Sequence, residues 1–503
     1  MKRSTLLLGS TLVGLAFAFS ARAQALSTEP AVPAAAASGA AERDRARQLD
    51  IKTKVWKGDF DGILERRAIR IYVPYSRSLY FIDKGRERGI SAHLIREFER
   101  WLNKKYAAQL GKRPLTVFAI VATRDKMLAE LLEGHADVAV GNIKVLDELL
   151  KDVDFIAPDE SAASVEILAT GPSAPAIASI DDLSGKTVHV RKVSSYYLSL
   201  TALNERLKKA GKHEVNVVLL PEALEDEDLL EMLNAGLLEA TVVDDWKAKA
   251  WAPVLPKVKV REDIQLRLRI KVGWAIRKNS PKLAAELNEF WTYYAKQAGG
   301  ASALLRQYAS KVKALHNATA AEDRKRFRAL LDYFDKYGKQ YGFDPIMLAA
   351  QGYQESKLNQ DVKSPVGAIG VMQVMPATGA ELKVGDIHRP EPNIHAGTKY
   401  MDKLMSKYFQ DAKFDEQNRA LFAFASYNCG PGNVSKMRNE AVKRGLDPDQ
   451  WFNNVEVVTA EKIGIETTTY VRNIFKYYAA YKLVAEQQAN VAKVKEQASP
   501  AKK

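Results

Sequence analysis

The side chains best placed for chemistry lie in Gln354-Glu355-Ser356-Lys357-Leu358-Asn359 and in the run that follows, Ser364-Pro365-Val366-Gly367-Ala368-Ile369-Gly370-Val371-Met372-Gln373-Val374-Met375-Pro376-Ala377-Thr378. Asp344 followed by Pro345 reads as a helix cap with proline at the first helical position, which sets Glu355 near the far end of that helix. The negative end of the helix dipole and apolar neighbours both raise the pKa of a carboxyl group there. A carboxyl that keeps its proton near neutral pH can act as a general acid. Gly367 and Gly370 allow the backbone to turn tightly and approach a bulky ligand. Met372, Gln373 and Met375 could line a groove there, with one amide to orient polar groups. By itself, a glutamate at a helix end is ordinarily a solvated surface group, so both readings stay open.

The elements needed to hold these residues follow from the hydrophobic pattern. Phe327, Leu330, Leu331, Phe334 and Tyr341 recur at helical spacing, and helical stretches continue over 394–409, 418–427 and 470–489. Residues 319–488 are therefore expected to form an all-α domain, followed by a frayed tail at 489–503 that is rich in Ala, Lys and Glu. Residues 68–313 read differently. Short β-branched runs at 68–73, 115–121, 138–140, 187–190, 215–220 and 241–243 alternate with helical stretches, which predicts a two-lobed α/β module with parallel strands. Residues 24–67 open in Ala, Pro and Ser and read as a flexible spacer.

The chain has 503 residues, 47% hydrophobic and 27% charged, which excludes a disordered or multi-span membrane protein and allows several domains of about 150 residues. Residues 1–23 carry the pattern of a secretory signal: Lys2 and Arg3, an apolar run, then Ala21-Arg22-Ala23. Its removal leaves a formal charge near +11 from the full +14, which suits an acidic polymer or an anionic surface. Nucleic acid is not the expected partner, because export and the lack of a basic-aromatic recognition motif oppose it. Cys429 is the only cysteine, and the seven histidines lack metal-ligand spacing, so neither a disulfide, a metal nor another cofactor is expected.

Three ordered blocks carry a resemblance. Glu355 to Thr378, then Ala425-Ser426-Tyr427-Asn428-Cys429-Gly430-Pro431-Gly432-Asn433-Val434, then Glu466-Thr467-Thr468-Thr469-Tyr470-Val471 resemble the successive motifs of the soluble-lytic-transglycosylase, lysozyme-like domain. The resemblance implies cleavage of the β-1,4 bond between N-acetylmuramic acid and N-acetylglucosamine in peptidoglycan, with Glu355 as the single acid and base. It implies that Ser364 and Gln373, beside Met372, bind sugar near Glu355. Tyr427 and Asn428 would contact the scissile sugars, and Glu466 would support the far wall. Cys429 departs from the small alanine common in that family.

Every residue from Val362 through Ala380 is non-acidic, although hydrolysis of a glycosidic bond normally needs a second carboxylate. With one carboxylate the simplest chemistry is intramolecular: the muramic acid 6-hydroxyl attacks C1 and gives a 1,6-anhydro end. A hydrolysing muramidase that recruits Glu466, or a non-catalytic solute- or wall-binding protein, are the alternatives.

The α/β region resembles the family-3 periplasmic solute-binding proteins, on stretches that include Gly134 to Val140, Val153-Asp154-Phe155 and Val272 to Lys278. That resemblance implies an anion-holding helix start at Ser194 and Ser195 and an amine-binding acid at Asp244. Leu149 stands where the carboxylate-binding arginine is expected. Signal, binding module and lytic domain together resemble the membrane-bound lytic murein transglycosylase F family. This implies a periplasmic protein, peripheral on the outer membrane, whose partners are glycan strands and wall-derived peptides or amino acids.

Overall fold

The computed structural model describes residues 55–157, 163–295 and 321–498, so the signal reading and most of the spacer lie outside the described residues. The first lobe holds β1 (Ala68–Val73), the hairpin β2 (Phe81–Asp83) and β3 (Arg86–Arg88), β4 (Thr116–Val121), β5 (Val138–Lys144) and β6 (Val153–Ile156). Helices α1 (Ile90–Lys105) and α2 (Arg124–Glu133) interleave with them. All six residues of β1 are buried, as expected of a strand covered on both faces. The second lobe holds β7 (Ser164–Thr170), β8 (Thr187–Arg191), α3 (Ser195–Lys209), β9 (Asn216–Leu220), α4 (Asp226–Ala235), β10 (Ala240–Asp244) and β11 (Lys259–Ile270). The chain then returns to the first lobe through β12 (Val272–Arg277) and α5 (Pro281–Ala295).

The sheets run β4-β1-β5-β12-β6 and β11-β7-β10-β8-β9. The pairs among β4, β1 and β5, and among β9, β8 and β10, are parallel as the pattern predicted. Antiparallel pairs complete both sheets: β12 runs antiparallel to β5 and β6, and β7 antiparallel to β10 and β11. Only Lys271 separates β11 from β12, so the chain passes directly from one sheet into the other and meets β5 head to tail.

From Ala321 on, the described residues hold helices and isolated bridges: α6 (Ala321–Tyr341), α7 (Pro345–Ser356), α8 (Pro376–Leu382), α9 (Pro390–Tyr408), α10 (Glu416–Cys429), α11 (Pro431–Lys443), α12 (Glu456–Lys462) and α13 (Ile465–Ala498). Helix α13 continues to Ala498, into the stretch read as a frayed tail, because that stretch is built mostly of strong helix formers. Most of α7 and of α10 is buried, and α7 packs on α13 with the Tyr353 and Tyr477 rings 4.7 Å apart.

Every residue of α4 is buried, five acidic side chains with its cap included, and each of these has a cation or hydroxyl facing it. Glu227 accepts from Ser76 Oγ at 2.9 Å, Ser78 Oγ at 2.9 Å and Arg77 N at 2.6 Å, all in the first lobe. The Arg77 guanidinium reaches Asp228 at 2.9 Å and Glu231 at 2.7 Å. From the helical region, Arg472 and Lys476 of α13 approach Asp228 at 3.3 and 3.0 Å, and Lys476 also pairs with Glu231. Burial alone would raise the Asp228 carboxyl, but Lys476, Arg77 and Arg472 outweigh it and hold it well below the usual range. One acidic helix thus ties both lobes to α13.

Lys476→Met is expected to lower stability by about 1.5–3 kcal/mol, the cost of removing one charged partner from buried carboxylates that keep Arg77 and Arg472. The stabilisation from Asp228 is complete above about pH 4, the ordinary aspartate range, and is lost as pH falls, so the deficit in thermal melts should shrink in acid.

Candidate active site

Asp344 caps α7 through its carboxylate, which accepts from Ile346 N at 2.7 Å, and Pro345 takes the first helical position. Lys357 closes the helix in the left-handed conformation at φ 57°, so Glu355 sits one residue before the last turn ends, as its spacing predicted. The side chain is half-buried, and the Tyr470 hydroxyl of α13 donates to Glu355 Oε1 at 2.5 Å. Burial raises the carboxyl to about 7, and the Tyr470 bond works against it. No charged group among the described residues contributes to that shift. Tyr427 of α10 is a second neighbour: burial, with the Glu355 charge added, pushes both the Tyr427 and the Tyr470 phenols well above their ordinary range.

The glycine-containing loop beside Glu355 is held from below by the buried side chain of Asn393 on α9. Its amide donates to Ile369 O at 2.8 Å and Ile387 O at 3.0 Å, and its oxygen accepts from Met372 N at 2.8 Å. Gly370 has φ 78° and lies so close that a side-chain carbon there would meet Asn393 Nδ2 at 2.6 Å. The glycine is required on both counts. Ser356 fastens the loop to α7 by donating to Val371 O at 2.9 Å.

The structure brings some of the sequence-predicted residues to this site and assigns others different work. Tyr427 stands beside Glu355, with its hydroxyl donating to Met372 O at 2.7 Å. Asn428 is half-buried and anchored through Oδ1, which accepts from Thr467 Oγ1 at 2.8 Å. Met372 does not line a groove: its side chain is 0% exposed and packs where a side-chain carbon at Gly397 would meet its Cβ at 2.6 Å. Gln373, at φ 48°, spends its amide hydrogens on Gly370 O at 2.9 Å and Val362 O at 3.1 Å, so it braces the loop. Ser364 Oγ accepts from Ala368 N at 2.9 Å within the same turn. Glu466 is exposed on the first turn of α13 and does not contribute to the Glu355 shift. The residue of the third block that reaches Glu355 is Tyr470, one helical turn further on. Cys429 is half-buried, and burial pushes its thiol up to about 11, so it stays protonated at neutral pH.

In the two-lobed module the expected amine-binding acid is already occupied. Asp244 is 0% exposed; its carboxylate pairs with the Lys144 ammonium and accepts from Asn142 Nδ2 at 2.5 Å and Ser164 Oγ at 3.0 Å. Lys144 and Asn142 come from β5 of the opposite lobe, so this pair joins the lobes, as Arg124 and Glu225 do at 2.9 Å. Burial would raise Asp244, but Lys144 leads the charges that lower it. Ser194 caps α3: its hydroxyl accepts from Tyr197 N at 3.3 Å and donates to Arg191 O at 2.7 Å. Ser195 is the half-buried first residue of that helix, and Leu149 is a half-buried packing residue.

Residues 332–448 match the family model described as the Transglycosylase SLT domain, a segment that contains Glu355 and Tyr427 and ends before Tyr470. A relative from Desulfosudis oleivorans named membrane-bound lytic murein transglycosylase F is 28% identical over 398 residues, covering 76% of this chain and 84% of its own. One of the same name from Shewanella pealeana is 30% identical over 423 residues, covering 80% and 83%. Among solved structures, the amino acid ABC transporter substrate-binding protein AbpA from Streptococcus pneumoniae, bound to L-arginine, is 19% identical and covers 50% of this chain and 98% of its own, with a TM-score of 0.39.

The folded-state shift of Glu355 is a stability statement. A carboxyl raised to about 7 favours the folded state most below the unfolded pKa, and the advantage is lost as pH rises toward 7. Glu355→Gln removes the cost of ionising that buried group, so the variant should melt higher than the unaltered chain above pH 7, by up to about 3 kcal/mol. The gain should vanish below about pH 4.5, where the glutamate of the unfolded chain is itself protonated. A melting difference that does not change between those pH values would exclude a raised carboxyl.

Proposed function

This chain belongs to the membrane-bound lytic murein transglycosylase F family, and from that membership we propose that Glu355 performs both proton transfers of a non-hydrolytic cleavage of peptidoglycan. The observation that carries the reading is one carboxyl at about 7, fixed by a tyrosine and with no second charge acting on it. In the first step its proton goes to the glycosidic oxygen as the bond from that oxygen to C1 of N-acetylmuramic acid breaks. In the second step the carboxylate takes the proton of the muramic acid 6-hydroxyl while O6 bonds to C1. The products are a 1,6-anhydro end and a free N-acetylglucosamine 4-hydroxyl, and Glu355 is returned protonated. The nucleophile is tethered to the reacting carbon, so effective molarity takes the place of an activated water. Tyr470, by donating to Oε1, steadies the carboxylate between the two steps.

Asn428 and Tyr427 supply the wall nearest Glu355; Ser364, Gln373 and the backbone of Met372 supply the braced loop joined to it through the Tyr427 hydroxyl, and Glu466 the outer rim. A hydrolysing reading needs a second carboxylate near the first. Glu466, the acid available for it, does not contribute to the Glu355 shift.

The residue 1–23 pattern and the family's name support residence in the periplasm, peripheral on the outer membrane. Among the described residues, no helix is long and apolar enough to cross a membrane. For the two-lobed module we infer a sensor of amine-bearing wall fragments, in which the ligand's ammonium must displace Lys144 from Asp244. Closure of such lobes is a physical switch for a neighbouring domain.

Glu355→Gln should retain binding to sacculi and lose about 10²- to 10⁴-fold in cleavage rate. Mass spectrometry of digests by the unaltered chain should show anhydro ends, one water lighter than reducing ends; reducing ends would establish hydrolysis instead. Cleavage should decline as pH rises through about 7, because the acid must enter the reaction protonated. In calorimetry, Lys144→Met should bind wall peptides at least about tenfold more tightly than the unaltered chain, since it leaves Asp244 without its internal cation. Equal affinities would separate Asp244 from ligand binding.

A further inference from the structure

The hairpin of β2 and β3 stands apart from both large sheets and packs against the helical region, where Phe81 and Ile82 meet Val457, Ala460 and Ile465. Lys84 N donates to Ala460 O at 2.9 Å, and the Asp83 carboxylate accepts from Ile465 N at 3.4 Å. The tip is the turn Lys84-Gly85, whose positive φ values of 48° and 75° are those a type I′ turn requires. The Lys84 stem lies along Gly464, where a side-chain carbon would meet its Cε at 3.1 Å. A piece of the first lobe is thus pinned to the start of α13. Lys84 and Arg86 are both exposed there, and neither forms an ion pair among the described residues.

Helix α13 connects this tip with the acid. At about 3.6 residues per turn, Ile465 faces the hairpin while Thr467 and Tyr470 face the other way, toward Asn428 and Glu355. Thr467 and Thr468 are buried, whereas Glu466, Thr469 and Tyr470 reach solvent. The accessible edge of the helix therefore runs from the hairpin tip past Glu466 to the residue that holds Glu355. Ile465 and Tyr470 are separated by about 7.5 Å along the axis at 1.5 Å per residue, which sets the two cations on the order of 15 Å from the acid.

The muramic acid of peptidoglycan carries a peptide on its lactyl group, with free carboxylates along it and at its end. At about 3.3 Å per extended residue, the third and fourth residues of such a stem lie about 10–14 Å from the sugar. That is the reach needed. Glu466, the acid on this edge, repels a carboxylate lying over the helix, so the hairpin cations are the favourable place for it.

We propose that Lys84 and Arg86 form a subsite for the anionic peptide stem, so that the two-lobed module takes part in choosing glycan whose muramic acid still carries its peptide. The proposal rests on the reading of Glu355 as the acid, because that reading sets the muramic acid beside α13.

The test compares the full chain with a variant carrying Lys84→Asn and Arg86→Thr, on glycan strands that bear peptides and on the same strands stripped by an amidase. Asparagine before glycine keeps the turn and threonine suits the strand, so the melting temperature should not fall. On peptide-bearing strands KM should rise about three- to tenfold, the size of two exposed ion pairs, with kcat unchanged. On stripped strands both parameters should match those of the unaltered chain. Added salt should raise the unaltered chain's KM on peptide-bearing strands toward that of the variant. A second variant that keeps the charges, Lys84→Arg with Arg86→Lys, should retain the unaltered KM. Where stripped strands are cut too slowly to measure, sedimentation with intact and stripped sacculi in the Glu355→Gln background should show the same split. An unmoved KM on peptide-bearing strands, an equal rise on both substrates, or a lower kcat together with earlier melting would each overturn the proposal. If the unaltered chain releases no anhydro ends from either substrate, the acid reading fails and the proposal falls with it; anhydro ends released with equal KM by both proteins remove the stem subsite alone.

Discussion

A carboxyl group withdrawn from water with no cation beside it keeps its proton, and the helical region is arranged around that fact. α7 delivers Glu355 at its last turn, Asn393 and Ser356 hold the neighbouring loop, and α10 and α13 each contribute a tyrosine beside the carboxyl. None of these brings a charge. Such a site gives an acid its strength by exclusion, and its accuracy depends on backbone braces such as Gly370 and Gln373 that hold the wall in place.

The same chain buries acids in the opposite manner at α4. There each carboxylate meets a guanidinium, an ammonium or a hydroxyl, and Asp228 is driven down where Glu355 is driven up. The direction is decided by the partner and not by depth, since burial is the leading upward influence on both. The paired acids serve as fasteners between lobes and helices, and the unpaired one is free to exchange a proton.

Local chemistry made part of this legible in the sequence. The Asp344-Pro345 start, the glycine-spaced loop and the β-branched runs depend on neighbours within a few residues, and each is found where the pattern put it. Contacts made across long separations were not legible. Tyr470 reaches Glu355 over 115 residues, and a tyrosine on a long helix reads as core. Lys144 meets Asp244 over 100 residues, and no spacing rule reveals that a chain supplies its own cation to an acid read as ligand-binding. Met372 and Gln373 are illegible for a related reason: their types suit a groove, but the Met372 side chain fills the space left by Gly397 and the Gln373 amide hydrogens brace its own loop. The antiparallel return of β12 followed only from the direct crossing at Lys271, which composition does not disclose.

Arg472 and Lys476 lie two and six residues beyond Tyr470 on α13, and both are withdrawn from solvent by carboxylates of α4. Their charge is matched inside the molecule by carboxylates that the same sum already counts, so these pairs leave the surplus of +14 unchanged and carry none of it to the surface. The long-range field is set by the cations left uncovered elsewhere, and the seam between module and helices is electrostatically quiet.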